Sequence, residues 1–454
     1  MRNSYSFLFI LLFTVGQQQV MAHRLAVDPI QEQADKLTWF KEAKFGMFIH
    51  WGLYSVLGGT YQGRTMPDTT LPNGKSWYAE WIQQRLEVPD DIYQALKEQF
   101  NPVDFDADRW IKEAKNAGMK YFVITAKHHD GFALWDSKVS TYDIAATPFK
   151  GRDILGELVE ACKKYGLKYG FYYSHWQDWE HPQGALPYWK PKRSSEEFEK
   201  YWREKSLPQV QELIENYDPD LLWFDTWDDE AADLITSQRR DELIGLIRKL
   251  SDKCLINGRI AMHDPGNDID FLEMMDNTYP EGLLEKPWQT PATMNHTWAW
   301  HDNDFHWKSS GQMLRYLVSN ASKGGNYLLN IGPKADGTLP TPAVQRLREM
   351  GAWMFSNGEA VYNSLPSELE PQEKVVFTQK EQEGQTYLYA HVLDELPGNL
   401  LVLPLPADQI ADCRILDTGE ELKHVPSEKG GVAITLPERG AYDVAVAVVK
   451  IRLE

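Results

Sequence analysis

Short apolar runs bounded by turn residues alternate with stretches whose apolar positions recur near every 3.6 residues. The first kind predicts buried strands and the second amphipathic helices. Phe45–Gly52, Lys120–Ala126, Leu167–Ser174, Leu221–Phe224, Leu255–Arg259 and Gly324–Pro333 read as strands. Between them, Asp106–Ala117 carries Trp110, Ile111, Ala114 and Ala117 on one face and stops at Gly118. Leu155–Tyr165 is a helix stopped at Gly166, and Ser194-Ser195-Glu196-Glu197 has the capping chemistry that opens a long helix to about Tyr217. Asp241–Leu250, Ser309–Ala321 and Thr341–Phe355 complete the helices. Strand and helix alternate at roughly 40-residue spacing, the pattern of βα units around a parallel sheet. From about Leu365 the texture changes to short β-rich runs between Gly, Pro and Asp turns, which predicts a small antiparallel sandwich. The expected architecture is α/β: a (β/α)8-like barrel over residues 23–364, followed by a C-terminal antiparallel β-sandwich over 365–454.

In a parallel barrel, chemistry collects where strands end. The run Asp218-Pro219-Asp220-Leu221-Leu222-Trp223-Phe224-Asp225 opens on turn residues, passes through four apolar positions and ends on one acid. Asp225 is therefore the candidate nucleophile; a carboxylate that merely caps the next helix is the alternative. The first strand ends on His50 and Trp51, and Glu80 lies between Trp77 and Trp81. The second strand opens onto His128 and His129, with Trp135 close behind. Neighbours on a strand point to opposite faces, so the pair chelates a metal poorly while extended; where the strand ends between them, the two rings can reach different hydroxyls of one ligand. Tyr173 stands at the end of the third strand, and Arg259, a fixed cation with a fork of donors, ends a later one. Residues 261–308 are too long for an idle connection and hold Glu273, Glu281, Glu285, Gln289 and Trp298. Asp228-Asp229-Glu230 reads as a solvated helix start, with a second catalytic acid as the alternative.

Composition narrows the partners. At 43% hydrophobic and 25% charged residues the chain is globular, and a formal charge of −19 excludes the basic footprint of nucleic-acid binding and docking on an anionic membrane. Seventeen Trp, several beside polar residues, suit sugar rings, whose CH faces stack on aromatics while hydroxyls need polar partners. Residues 1–22 have a basic start at Arg2, an apolar middle too short to span a bilayer, and a small-residue end at Val20-Met21-Ala22. They predict a signal peptide, export to the periplasm or medium, and no membrane insertion of the mature chain. Cys162, Cys254 and Cys413 read as buried thiols, and no Cys/His cluster has zinc spacing.

Four motifs in order, Phe48-Ile49-His50-Trp51-Gly52, Ala126-Lys127-His128-His129-Asp130-Gly131-Phe132, Leu222-Trp223-Phe224-Asp225 and Lys323-Gly324-Gly325-Asn326-Tyr327-Leu328-Leu329-Asn330-Ile331-Gly332-Pro333, resemble the α-L-fucosidases of glycoside hydrolase family 29. The resemblance runs from about residue 36 to 365. It implies a barrel with a C-terminal sandwich, retaining hydrolysis of a terminal fucoside, and no metal or other cofactor. It further implies that His50, Glu80, His128, His129, Tyr173, Arg259 and Trp298 line a sugar pocket around the nucleophile Asp225, with Tyr172 able to replace Tyr173. Trp51 and Trp135 are further candidates for contact with the sugar.

One position departs from the family. Many members read Pro-Trp-Glu where this chain has Pro287-Trp288-Gln289, and that Glu often serves as acid/base. An amide donates no proton at neutral pH, and general acid catalysis is worth ~10²–10⁴-fold. Three readings follow. Another acid of the long loop, Glu273 or Glu281 ahead of Glu285, supplies the proton; or the leaving group needs little help; or the protein binds fucose or galactose and scarcely turns it over. A hydrolase acting on galactosides is the nearest change of substrate, because galactose shares most hydroxyl directions with fucose.

Overall fold

A computed structural model describes residues 29–71, 75–427, 430–438 and 446–454. The expected signal peptide, residues 1–22, lies outside them. Eight parallel strands form one sheet: β1 (Phe45–Ile49), β2 (Tyr121–Lys127), β3 (Lys168–Tyr173), β4 (Leu221–Trp223), β5 (Leu255–Ile256), β6 (Leu272–Glu273), β7 (Trp288–Thr293) and β8 (Asn326–Ile331). The order is β5-β4-β3-β2-β1-β8-β7-β6. A parallel bridge between Asn257 and Phe271, with the Gly258 N–H donating to the Phe271 carbonyl at 2.9 Å, joins the two edges and leaves neither free. That closure is what a barrel achieves against edge exposure.

Alternation along each strand sorts the side chains. Phe48, Tyr121, Val123, Tyr172, Leu221, Trp223, Leu255 and Leu328 share the interior with Leu37 and Phe40, from the helix Pro29–Ala43 that leads into β1. Phe45, Met47, Ile49, Phe122, Ile124, Phe171, Tyr173, Leu222 and Ile256 face the outer helices. Gly46 is needed because Tyr121 crosses it inside the barrel; a Cβ there would meet the ring at 2.4 Å.

The helices stand close to their expected places. Ala107–Asn116 is capped by Asp106, Ile154–Tyr165 by Asp153 with Gly166 as its left-handed stop, and Ser194 and Glu197 form the reciprocal capping box. The helix begun there is interrupted by a π turn at Trp202–Ser206 before continuing as Leu207–Tyr217. The β5–β6 and β6–β7 connections carry no α-helix, so the barrel is (β/α)8-like and not regular. Asp228 caps the short helix Asp229–Leu234, as expected of a solvated acidic start.

Beyond Leu365, a five-stranded and a three-stranded antiparallel sheet enclose a second core that includes Val375, Phe377, Leu401, Leu403, Val432, Ile434, Val449 and Ile451. This module meets the barrel where Trp353 donates to the Val446 carbonyl at 2.8 Å and Thr378 to that of Ala360 at 2.7 Å. All three cysteines are buried and unpaired. Among the described residues, no helix is long and apolar enough to cross a membrane.

Candidate active site

A small cavity opens at the C-terminal ends of the strands, lined by Phe48, His50, Tyr78, Glu80, Trp81, His128, His129, Tyr172, Trp223, Asp225, Arg259, Asp276 and Trp298. A broader groove, bordered by Phe105, Arg152, Asp153 and Tyr217, runs over the outer helices away from these strand ends.

Asp225 follows β4 by two residues and is held on both oxygens. Arg259 Nη1 donates to Oδ1 at 2.8 Å and the Tyr172 hydroxyl to Oδ2 at 2.9 Å, while the Trp176 indole fixes its backbone carbonyl at 2.7 Å. Burial pushes the Asp225 carboxyl above its ordinary range, and the Arg259 charge opposes that push. Burial disfavours the Arg259 cation, yet Asp276 and Asp225 together hold its proton above the usual guanidinium value. Asp276 takes the other arm: Arg259 Nη2 lies 2.9 Å from its Oδ1.

β2 ends at Lys127, so His128 and His129 follow the strand and both turn into the cavity. His129 Nδ1 pairs with Ser174 Oγ at 2.7 Å, and its Nε2 lies 3.8 Å from Asp225 Oδ2. His50 Nδ1 pairs with Asn330 Oδ1 at 2.7 Å. Burial holds all three imidazoles neutral, with His50 lowered to about 3. Neutral rings can both give and accept hydrogen bonds, as hydroxyl recognition needs. Glu80, on the short 3₁₀ turn Ala79–Trp81, accepts from the Ala299 N–H at 3.1 Å, and its Oε1 is buried without a protein partner. Burial raises its carboxyl to about 8. Phe48 lies against His50, Trp223 and Trp298 at ring separations of 4.6, 5.3 and 6.0 Å.

Thus His50, Glu80, His128, His129, Asp225, Arg259 and Trp298 converge as the sequence suggests. Six other candidates stand elsewhere. Tyr173 points outward and donates to Gln209 at 2.9 Å, because its neighbour Tyr172 takes the inward position. Trp51 packs outside on Phe105 and Trp110, and Trp135 donates to Glu212 at 2.8 Å. Gln289 is near the start of β7, at the barrel floor, where it accepts from the Tyr121 hydroxyl and donates to Glu273 Oε2, each at 2.7 Å. Glu273 ends β6 and is therefore engaged below the cavity, its carboxyl raised by burial. Glu281 is exposed beside Lys323, on the segment that carries the chain back to begin β7. The lining residues that sequence reasoning missed are Phe48, Tyr78, Trp81, Trp223 and Asp276. The first four read as ordinary aromatic packing, and Asp276 sits in a loop with no periodic signal.

Among the described residues, one group has metal-compatible spacing: His296, Asp304 and His306. It lies outside the cavity lining, and its two imidazoles stack at 4.3 Å and 15°, which keeps their lone pairs parallel instead of convergent.

Known proteins resemble this chain along most of its length. The family model described as Alpha-L-fucosidase matches residues 14–359. The chain is 30% identical to human plasma alpha-L-fucosidase over 444 residues, covering 90% of this chain and 88% of that one. Alpha-L-fucosidase isoenzyme 1 from Paenibacillus thiaminolyticus superposes with a TM-score of 0.78 at 32% identity, covering 93% and 100% of the two chains. A GH29 alpha-L-fucosidase from Bacteroides thetaiotaomicron, trapped as a covalent intermediate with 2-fluoro-fucosyl fluoride, superposes with a TM-score of 0.80 at 27% identity, covering 92% and 96%. The chain therefore belongs to the α-L-fucosidase family, GH29, and is a glycoside hydrolase of that type.

Proposed function

We propose that the protein is a retaining exo-α-L-fucosidase that removes a terminal fucose with Asp225 as nucleophile. One observation carries this reading: the Asp225 carboxylate sits in the cavity that holds three neutral imidazoles, oriented by Arg259 and Tyr172. A retaining hydrolase needs a carboxylate that attacks the anomeric carbon and a second carboxyl ~5–5.5 Å away. His50, His128, His129 and Glu80 provide partners for ring hydroxyls, and the Phe48–Trp223–Trp298 surface suits an apolar methyl in place of the exocyclic hydroxyl of galactose. A site built to bond each hydroxyl discriminates strongly against sugars that leave a buried group unpaired.

The test is covalent trapping with 2-fluoro-fucosyl fluoride followed by peptide mapping. The fluorofucosyl adduct is expected on Asp225, and Asp225→Gly should lower aryl-fucoside hydrolysis by on the order of 10⁴-fold or more. An adduct elsewhere, or an active Asp225→Gly protein, refutes the assignment. A panel of aryl glycosides should rank fucoside above galactoside; the reverse order would make the protein a galactosidase. Weak turnover on every glycoside, with binding retained in calorimetry, would make it a sugar-binding homologue. Residues 1–22 support export, which N-terminal sequencing of protein recovered from the periplasm or medium checks, with a start near His23 expected.

A further inference from the structure

The cavity has an aromatic continuation. Trp81, on the 3₁₀ turn Ala79–Trp81, lines the cavity with its ring 4.9 Å from that of His129. Trp227, just beyond β4 and Asp225, stands 5.2 Å from the same imidazole and 5.5 Å from Trp81. Tyr188, from the long connection after β3, stacks on Trp81 at 6.3 Å and 21°. The three rings come from three different strand-end loops and yet form one surface. Exposure rises along it: Trp81 is 9% exposed, Trp227 is half-buried and Tyr188 is 43% exposed. The surface therefore starts inside the pocket of the nucleophile and ends in solvent. The segment that carries Tyr188 is tied down while the ring stays accessible. Lys190 pairs with Asp90, Lys192 reaches Glu230 at 3.5 Å, and the Lys190 N–H donates to the Pro187 carbonyl at 2.8 Å.

We propose that Trp81, Trp227 and Tyr188 hold the leaving group, and that the preferred fucosides are those whose next unit is a pyranose with a clear CH face. The assignment rests on the fucosidase reading above. The group that fucose leaves behind extends from the anomeric carbon, which Asp225 attacks, toward the cavity mouth, and the three rings run the same way. An aromatic face gives a pyranose contact with its CH groups while its hydroxyls stay in water. Among hexoses the galactose configuration gathers its CH groups on one side of the ring and suits this surface best. An aryl group stacks equally well, whereas a leaving group of one atom leaves the rings unused. Contact of this kind reads ring shape and not individual hydroxyls, so the preference it creates is graded.

The experiment measures kcat/KM for wild type, Tyr188→Ala and Tyr188→Phe in the full chain, on α-L-fucosyl fluoride, 4-nitrophenyl fucoside and a set of fucosyl-galactose disaccharides. This ratio includes departure of the leaving group whichever later step limits turnover. Tyr188→Ala should lose roughly 3- to 10-fold on the ring-bearing substrates, the range of one aromatic contact, and should be unchanged on the fluoride. Tyr188→Phe, which keeps the ring, should match wild type on all of them. A loss that differs between substrates cannot come from partial unfolding, which lowers every rate alike. Equal loss on fluoride and ring-bearing substrates would mean that Tyr188 acts through Trp81 on the fucose itself, and no loss on any would leave the outer ring as surface packing; either result overturns the proposal. Loss on the aryl fucoside with the disaccharides unaffected would remove the sugar from this surface, which overturns it too. Wild-type protein inert toward fucosyl fluoride and aryl fucoside alike would refute the fucosidase reading, and the leaving-group surface with it.

Discussion

Two buried ionic clusters stand near the C-terminal ends of the barrel strands, and they have opposite characters. In one, Lys127 and Lys205 both reach Asp178 Oδ2, at 3.0 and 2.9 Å, and Lys205 also reaches Glu180 at 2.8 Å. Lys127 is further bonded to the Tyr201 hydroxyl, and Gly131 approaches so closely that a Cβ would lie 2.3 Å from Asp178. The π turn at Trp202–Ser206 brings Lys205 inward and lets Ser206 donate to the His175 carbonyl. In the other, Asp225, Arg259 and Asp276 form an equally short chain of contacts, but beside a cavity, with spare acceptor capacity on Asp276. The residue types are those of ordinary ion pairs in both. What separates structure from chemistry is whether any hydrogen-bonding capacity is left facing open space.

Asp178→Asn tests the sealed cluster and should have the largest effect on stability. Removing one partner of a buried ionic group typically costs ~3–5 kcal/mol, because the remaining charges keep their desolvation cost without compensation. Urea unfolding should show that loss, whereas Asp225→Asn should cost less, because Arg259 keeps Asp276 as a charged partner. Equal losses in the two variants would erase the distinction between the clusters.

Glu80 sharpens the contrast through pH. Its carboxyl rises from an ordinary 4.5 to about 8 because burial disfavours the anion. The folded state therefore holds this proton more tightly than the unfolded chain does. That contribution to stability is fully present below about 4.5, is lost progressively as pH rises, and is gone above about 8. Each unit of such a shift corresponds to ~1.36 kcal/mol, so the slope amounts to a few kcal/mol across the window. Glu80→Gln, neutral at every pH, should flatten its share of the slope in unfolding midpoints measured from pH 5 to 8. An unchanged slope would mean that Glu80 is ionised in the fold.

Gln289 belongs to the sealed class despite its family position. Gln289→Glu would set a second carboxylate beside Glu273, where the present contact is 2.7 Å. Two such groups cannot both ionise at that separation. The expected outcome is a loss of ~1–3 kcal/mol in stability and no gain in fucosidase rate. A rate increase would place residue 289 in the chemistry after all.

Much of this was readable in the chain itself, and the failures share a cause. The alternation of apolar runs and helical faces located barrel and sandwich, because burial on both sides of a parallel sheet and on one side of a helix leaves different periods. Strand-end placement located Asp225, His128, His129 and Arg259. Trp51 at a strand end and Trp135 some way beyond one have the right residue type, yet the sequence does not reveal which way a side chain turns once the strand has ended. Glu273 and Glu281 lie near Trp288 along the chain, but β6 is two residues long and the backbone beyond it rises to Asp276 before returning past Glu281 to begin β7. Asp276 and Glu281, close neighbours in sequence, thus stand toward opposite ends of the barrel.

The smallest expected difference, and the cleanest, lies between adjacent tyrosines. Tyr172 and Tyr173 share a strand, a ring and full burial, and differ in the face they occupy. Tyr173→Phe removes one neutral hydrogen bond to Gln209, worth ~1 kcal/mol of stability, and should leave hydrolysis unchanged. Tyr172→Phe removes a hydrogen bond to the nucleophile, of the charged class worth ~1.5–3 kcal/mol, so kcat/KM should fall roughly 10- to 100-fold. Steady-state kinetics on one aryl fucoside, with a melting curve for each variant, reads both effects. If Tyr173→Phe lost activity and Tyr172→Phe only stability, the inward register of β3 would be wrong by one residue, and with it the placement of every group that the strand brings to the cavity.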